Sequence, residues 1–457
     1  MLHSSLRVDG AAYSEQEIRW LQAVDRETVW HAFSQMAGYD GLIIDRGEGN
    51  WLIDIQGNRY LDAASSLWCN VHGHCHPRIN QAIVEQLAKV AHVTNLGMSH
   101  PETIRLADRL IQLAPDSLEH VFFCCDGASS VEVAMKMAFQ FWKQNGAGPD
   151  ERNQFLVLGN AYHGDTIGTV SVGGVERFHR LFGPLLFPVL RGPCPSGSRI
   201  DTHRDESLLA SYLMNYRTLL EKHAREIAAV LVEPLVQCAA GMVFHPPGFL
   251  SGMASLCREF DTLLIVDEIA VGMGRCGRMF ACEVESVQPD ILCIGKGLTG
   301  GYLPMSAALA SNRVFDAFLG DSTRTLYHGH TYGGNPLSAA AANATLDLTQ
   351  ALLDGGVLGE RVNQMELELR ATQSMASIQR VDHLGMLGAI EWNAVNYEQS
   401  CQAIRRVCDE LLREGVWLRP LGNTLPIVPP LSITHDELSM LFGKLRRAIQ
   451  QVASTAA

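Results

Sequence analysis

No stretch of this sequence approaches the roughly 20 consecutive apolar residues that a membrane-spanning helix needs. Positive charge is in short supply: 36 Lys and Arg stand against 49 Asp and Glu, a formal charge of −13, and no run of like charge offsets it locally. Phosphate backbones are gripped by net basic surfaces, so the balance argues against a nucleic-acid partner, and a membrane partner is not expected either. No two of the 12 cysteines stand in CxxC spacing, and the opening MLHSSLRVDGAAYSEQEIRW lacks the basic-then-apolar order of an export signal. Reduced, scattered thiols in a cytoplasmic protein are the expectation. Internal repeats and low-complexity tracts are missing too.

What is present is a globular chain of 457 residues, too long for one simple core. Its 41 glycines suit many tight strand-to-helix turns. Residues 1–45 read as an amphipathic lead-in, followed by a β pattern over 51–61 with a Gly57-Asn58 turn. From about 76 to 345, short apolar runs alternate with helical stretches: VFFCC (121–125), FLVLG (155–159), AAVLVE (228–233), TLLIVDE (262–268) and ILCIGK (291–296). Unbroken runs of this length suit strands buried on both faces, so a mostly parallel sheet sandwiched by helices is predicted. Three regions follow: an N-terminal segment 1–75, a large domain 76–345, and a C-terminal domain 346–457 that forms a smaller α/β unit with the N-terminal strands.

Ligands collect at the carboxyl edge of an open α/β sheet. Five of these strands end there on suggestive residues: Gly127-Ala128, Tyr162-His163, Glu233, Asp267 and Lys296. Ser129 and Glu132 have capping-box spacing ahead of the helical VEVAMKMAFQFWK, and the free N–H groups at such a start, with Gly127 admitting close approach, form an anion cradle. Asp267 at a strand end in a low-dielectric cleft needs a cationic partner, and a protonated pyridine nitrogen would serve. A lysine just past a buried strand is unusual; partial burial would favour the neutral amine of Schiff-base chemistry at Lys296. Taken singly, these are an ordinary capped helix, a structural aspartate and a loop lysine. Taken together, they imply pyridoxal 5′-phosphate (PLP).

Two other patterns compete. Gly295-Lys-Gly-Leu-Thr-Gly300 matches the dinucleotide GxGxxG after a strand, which would suit a dehydrogenase, but it holds a lysine and lacks a satisfactory acidic partner downstream. His72, His74 and His76 alternate as metal ligands can, but no carboxylate or cysteine partner is obvious beside them, and no metal is expected.

The whole set resembles the class III aminotransferases of PLP fold type I, over about Trp30 to Val452. The long stretch LLIVDEIAVGMGRCGRMFACEVESVQPDILCIGKGLTGGYLP carries most of the likeness, with SSLWCNVHGHCHP, NAYHGDTIGTVSVGG, VEPLVQCAAGM, HGHTYGGNP and WLRPLG. The likeness extends to the branch of the family that aminates 8-amino-7-oxononanoate in biotin synthesis. It implies that Gly127 and Ala128 hold the phosphate, Tyr162 stacks on the cofactor ring and Glu233 lies beside it. It further implies that Asp267 pairs with the ring nitrogen, and that Lys296 carries the cofactor and shuttles the proton. Thr331 would reach the phosphate of a neighbouring subunit, which implies a homodimer with shared sites. Phe33, Leu67, Trp68, Gly329 and Arg419 would line the substrate pocket for a small-molecule amino donor and an oxo-acid acceptor, Arg419 meeting a carboxylate. Leu67, Phe33 and His330 depart from the branch that uses S-adenosylmethionine toward the branch that uses L-lysine. Pro426 fits neither, and Asp126 stands where a serine is usual. An ω-amino acid or amine:pyruvate aminotransferase is the nearest rival on the same scaffold.

Overall fold

The computed structural model describes residues 13–148, 150–201 and 205–456; residues 1–12 of the lead-in lie outside them. The central sheet has seven strands, numbered here in chain order: β1 (Leu118–Cys124), β2 (Gln154–Val157), β3 (Leu190–Arg191), β4 (Ile227–Val232), β5 (Leu263–Asp267), β6 (Ile291–Ile294) and β7 (Ser306–Ser311). They lie in the order β1-β7-β6-β5-β4-β2-β3. Pairing is parallel from β3 through β6, and β7 runs antiparallel between β6 and β1.

Helices cover both faces, and this is why the strands are apolar without alternation. In β5, Leu264 and Val266 join one core, while Leu263 and Ile265 join the other. The helix Gly127–Gln144 closes the second face with Val131, Ala134, Met135 and Ala138 fully or nearly buried. The five apolar runs read from the sequence are thus five of the seven strands. Two were missed. β3 is only two residues long, and β7 (SAALAS) is rich in small residues and lacks the β-branched signature of a strand.

The N-terminal hairpin Trp51–Asp54 and Arg59–Asp62 turns at Gly57, whose φ of +83° suits glycine. Arg59–Asp62 then pairs in parallel with Val416–Trp417, from the other end of the chain. A second core joins Leu61, Ala63 and Val71 to Ile404, Leu425 and Phe442. The strands Ile378–Leu384, Leu387–Trp392 and Thr424–Ile427 form a three-stranded antiparallel sheet in which the last is an edge. Pro426 sits in that edge strand opposite Ala389, a position where a missing N–H costs little. The boundary expected at 345/346 falls inside the helix Pro336–Asp354. No helix among the described residues is long and apolar enough to cross a membrane.

Candidate active site

The carboxyl ends of β1, β2, β4, β5 and β6 open onto one cleft of about 510 Å³. It brings together Gly127, Ala128, Tyr162, Glu233, Asp267 and Lys296, with Trp68 closing one side. β5 and β6 are neighbours, so Asp267 and Lys296 reach the cleft from adjacent strands.

On the β1 side, the helix N-cap is Asp126, and the Ser129–Glu132 capping box is corrected accordingly. Asp126 Oδ1 accepts the Ser129 N–H at 2.9 Å and Oδ2 accepts the Ser129 hydroxyl at 2.8 Å. Ser129 lies one turn too far in to act as cap, and Glu132 instead accepts from the Thr166 hydroxyl at 2.5 Å. Asp126 therefore has a structural account as a helix cap, with the orphan N–H groups of the first turn beside it. A Cβ at Gly127 would come within 2.9 Å of Ile269 Cγ2, so the first residue of the helix must stay bare.

Asp267 is almost fully buried. Its Oδ1 accepts the Ile269 N–H at 3.0 Å, and its Oδ2 lies 2.7 Å from His163 Nδ1. His163 Nε2 is buried and has no partner among the described residues. With Asp267 ionised, Nδ1 is the nitrogen that donates. No sequence signal assigned His163 this role, because the pair is 104 residues apart and forms only when β2 and β5 share a sheet.

Glu233 is also buried, and burial raises its carboxyl from the usual 4.5 to about 7, against the lowering effects of His163 and of the Tyr162 N–H that it accepts at 2.9 Å. Tyr162 is pinned by a 2.7 Å hydrogen bond from its hydroxyl to Asp165 Oδ2, and burial, then Asp165, raises the phenol well above its ordinary value. Lys296 is half-buried, takes a φ of +40°, and places Nζ 5.1 Å from the centroid of the Trp68 ring. The GxGxxG pattern around it forms a 3-10 turn, Lys296–Thr299, rather than the start of an α-helix, so the dinucleotide geometry is missing at that loop.

The remaining candidates lie outside the lining of the cleft. Leu67 and Phe33 are each about half exposed, at 51% and 56%, and Gly329 and Thr331 are exposed. Arg419 is exposed as well, while Leu418 beside it is buried. Arg419 has no carboxylate partner among the described residues, and its Nη2 donates to the Phe33 carbonyl at 3.1 Å. The three histidines take different partners, although the His72 and His76 rings lie edge-on 6.4 Å apart. His72 Nε2 lies 2.9 Å from the Thr349 hydroxyl and His74 Nε2 lies 2.9 Å from Asp62, while His76 caps the helix Pro77–Leu87. Burial holds His72 down at about 3.

The class-III aminotransferase family profile matches residues 34–449. The chain is 41% identical over 455 residues to the adenosylmethionine-8-amino-7-oxononanoate aminotransferase of Geobacter sulfurreducens, covering 96% of this chain and 99% of the relative. The enzyme of the same name from Methanocaldococcus jannaschii has a solved structure that matches with a TM-score of 0.88 and 39% identity, over 95% and 99% of the two chains. An amine transaminase from an uncultivated Pseudomonas species, solved in a PLP-bound form, matches with a TM-score of 0.87 and 33% identity, over 93% and 99%. With the sheet, the cleft at its carboxyl edge and end-to-end relatives all in agreement, the chain belongs to the class-III aminotransferases.

Proposed function

We propose that this enzyme transfers an amino group to 8-amino-7-oxononanoate, giving 7,8-diaminononanoate for biotin synthesis, with PLP as cofactor and L-lysine as donor. The observation that carries the chemistry is the placing of Asp267 and Lys296 at the ends of adjacent strands in one cleft. The acceptor rests on the relatives, which are 8-amino-7-oxononanoate aminotransferases by name.

The residues present fit PLP. Gly127 and Ala128 offer unspent N–H groups at a helix start for a phosphate, and a side chain at Gly127 would meet Ile269. When bound, PLP supplies a ring that takes up the electron pair left as a proton departs from the amino-bearing carbon. Lys296 would hold the cofactor through Nζ, and the same atom would take and return that proton. Asp267 would pair with the ring nitrogen and keep it protonated, with His163 Nδ1, 2.7 Å from Oδ2, holding the carboxylate in place. Tyr162 and Trp68 form walls that keep the ring and water apart. Exposed Thr331 would serve the cofactor of a second copy in a homodimer, and the N-terminal strands with residues 346–457 would form the smaller unit beside 76–345.

The donor reading rests on Phe33, Leu67 and His330, which depart toward the lysine-using branch. Leu67 presents no flat aromatic face to a sulfonium, a loss of about 0.5–2 kcal/mol of cation–π attraction for S-adenosylmethionine. The relatives' names carry adenosylmethionine, so the two donors must be compared directly. The experiment is a coupled assay of purified, PLP-loaded enzyme with 8-amino-7-oxononanoate and each donor at equal concentration, beside Lys296→Ala. Turnover with lysine, lost in Lys296→Ala, is expected. Faster turnover with S-adenosylmethionine overturns the donor, and activity with pyruvate alone moves the enzyme to the ω-amino acid and amine group.

A further inference from the structure

We infer that Phe178 is a specificity-determining residue, the ring that bridges from Tyr162 in the cleft to Phe33 and Arg419 outside its lining and selects a long unbranched aliphatic acceptor. The inference rests on the acceptor reading above. Phe178 projects from the short helix Glu176–His179 and is half-buried. Its ring meets that of Tyr162 edge-on, centroids 6.2 Å apart at 78°. On the other side it meets Phe33 at 5.2 Å and 69°. Phe33 in turn is tied by its carbonyl to Arg419, 386 residues away in sequence. Tyr162, Phe178 and Phe33 thus form one succession of edge-to-face rings from the lysine end of the cleft to the guanidinium.

Two features argue against plain packing. Phe33 takes a φ of +51°, which a phenylalanine rarely adopts, and the residue is 56% exposed. A strained backbone that presents an apolar ring to solvent is what a surface waiting for an apolar ligand looks like. Arg419 at the far end also lacks a carboxylate partner among the described residues. An acceptor with a carboxylate at one end and its reacting carbon at the other must lay its methylenes between those points, and the Phe178 ring is the only link from Tyr162 to Phe33 among the described aromatic contacts. Short or polar acceptors gain nothing from it.

The test uses PLP-loaded enzyme and reads kcat/KM for a nine-carbon acceptor against a six-carbon homologue. It is run in two series: the amino-oxo acids related to 8-amino-7-oxononanoate, and simple ω-oxo carboxylates. In Phe178→Ala the long-to-short ratio should fall roughly tenfold, about what leaving two methylenes without cover costs, and the change should appear in KM. Phe178→Leu should recover most of the ratio. Equal losses for both lengths, or a lowered melting temperature with an unchanged ratio, overturn the inference. Wild-type enzyme active only in the ω-oxo series overturns the acceptor reading alone, since the ratio in that series still decides the role of Phe178.

Discussion

Asp267 and His163 make the strongest single-residue case. A buried carboxylate needs a cation or strong donors, and here it has one backbone N–H and one imidazole. Asp267→Asn should lower kcat/KM by about a thousandfold or more, roughly 4 kcal/mol of charge stabilisation. His163→Leu, which removes only the supporting hydrogen bond, should cost about ten- to a hundredfold. Steady-state assays of both variants check the ranking, and a loss below tenfold for Asp267→Asn would mean that another residue faces the ring. Glu233 gives a pH prediction. Its carboxyl titrates near 7 when folded and near 4.5 when free, so the folded chain binds its proton more tightly. The associated stability is complete below pH 4.5 and is lost as the pH rises through 7, on the order of 3 kcal/mol. Melting temperatures of the cofactor-free protein should therefore fall across that window, and Glu233→Gln should flatten the fall. At this scale the sequence was informative about which residues, since strand ends mark them, but not about their partners. The His163–Asp267 contact spans 104 positions and has no local signature.

Among the elements, the helix Gly127–Gln144 matters most, because its first turn would be the anion cradle. Asp126 caps it with two hydrogen bonds to Ser129. Asp126→Ala should cost about 1 kcal/mol of stability through the lost cap. Asp126→Ser keeps a capping hydroxyl and removes a negative charge from the edge of a phosphate site. It should leave the melting temperature nearly unchanged and tighten PLP retention, measured by equilibrium dialysis. Looser retention would show that the carboxylate does not oppose the phosphate. The sequence located this helix by its apolar pattern but misplaced its cap, because Ser129 has cap spacing and an aspartate three residues earlier caps equally well. The β7 strand escaped notice for a related reason: Ala307, Ala308 and Ala310 are small because two cores close on them, and smallness carries no β signal.

For the whole molecule, the open question is what the exposed Thr331 serves. If it completes the site of a second copy, a mixture of Lys296→Ala and Thr331→Ala chains should regain activity that neither homodimer has. One of the two sites in the mixed dimer then has both its own Lys296 and an intact Thr331 from the other chain. Co-expression with distinct tags and assay of the mixed species checks this, and activity no greater than that of Thr331→Ala alone would retire the shared site. The large parallel sheet was legible from the chain because strands buried on both faces must be continuously apolar, and the lysine, aspartate and glycine at their ends followed from where such strands stop. Distance along the chain hid the rest. The Arg59–Asp62 strand meets Val416–Trp417, and Phe33 meets Arg419, only because both chain ends fold into one unit. Residue type and spacing determined the chemistry this protein carries. The partners of Asp267, the exposure of Arg419 and the row of rings from Tyr162 to Phe33 were decided by tertiary packing, since contacts between distant segments depend on three-dimensional closure, which no local pattern encodes.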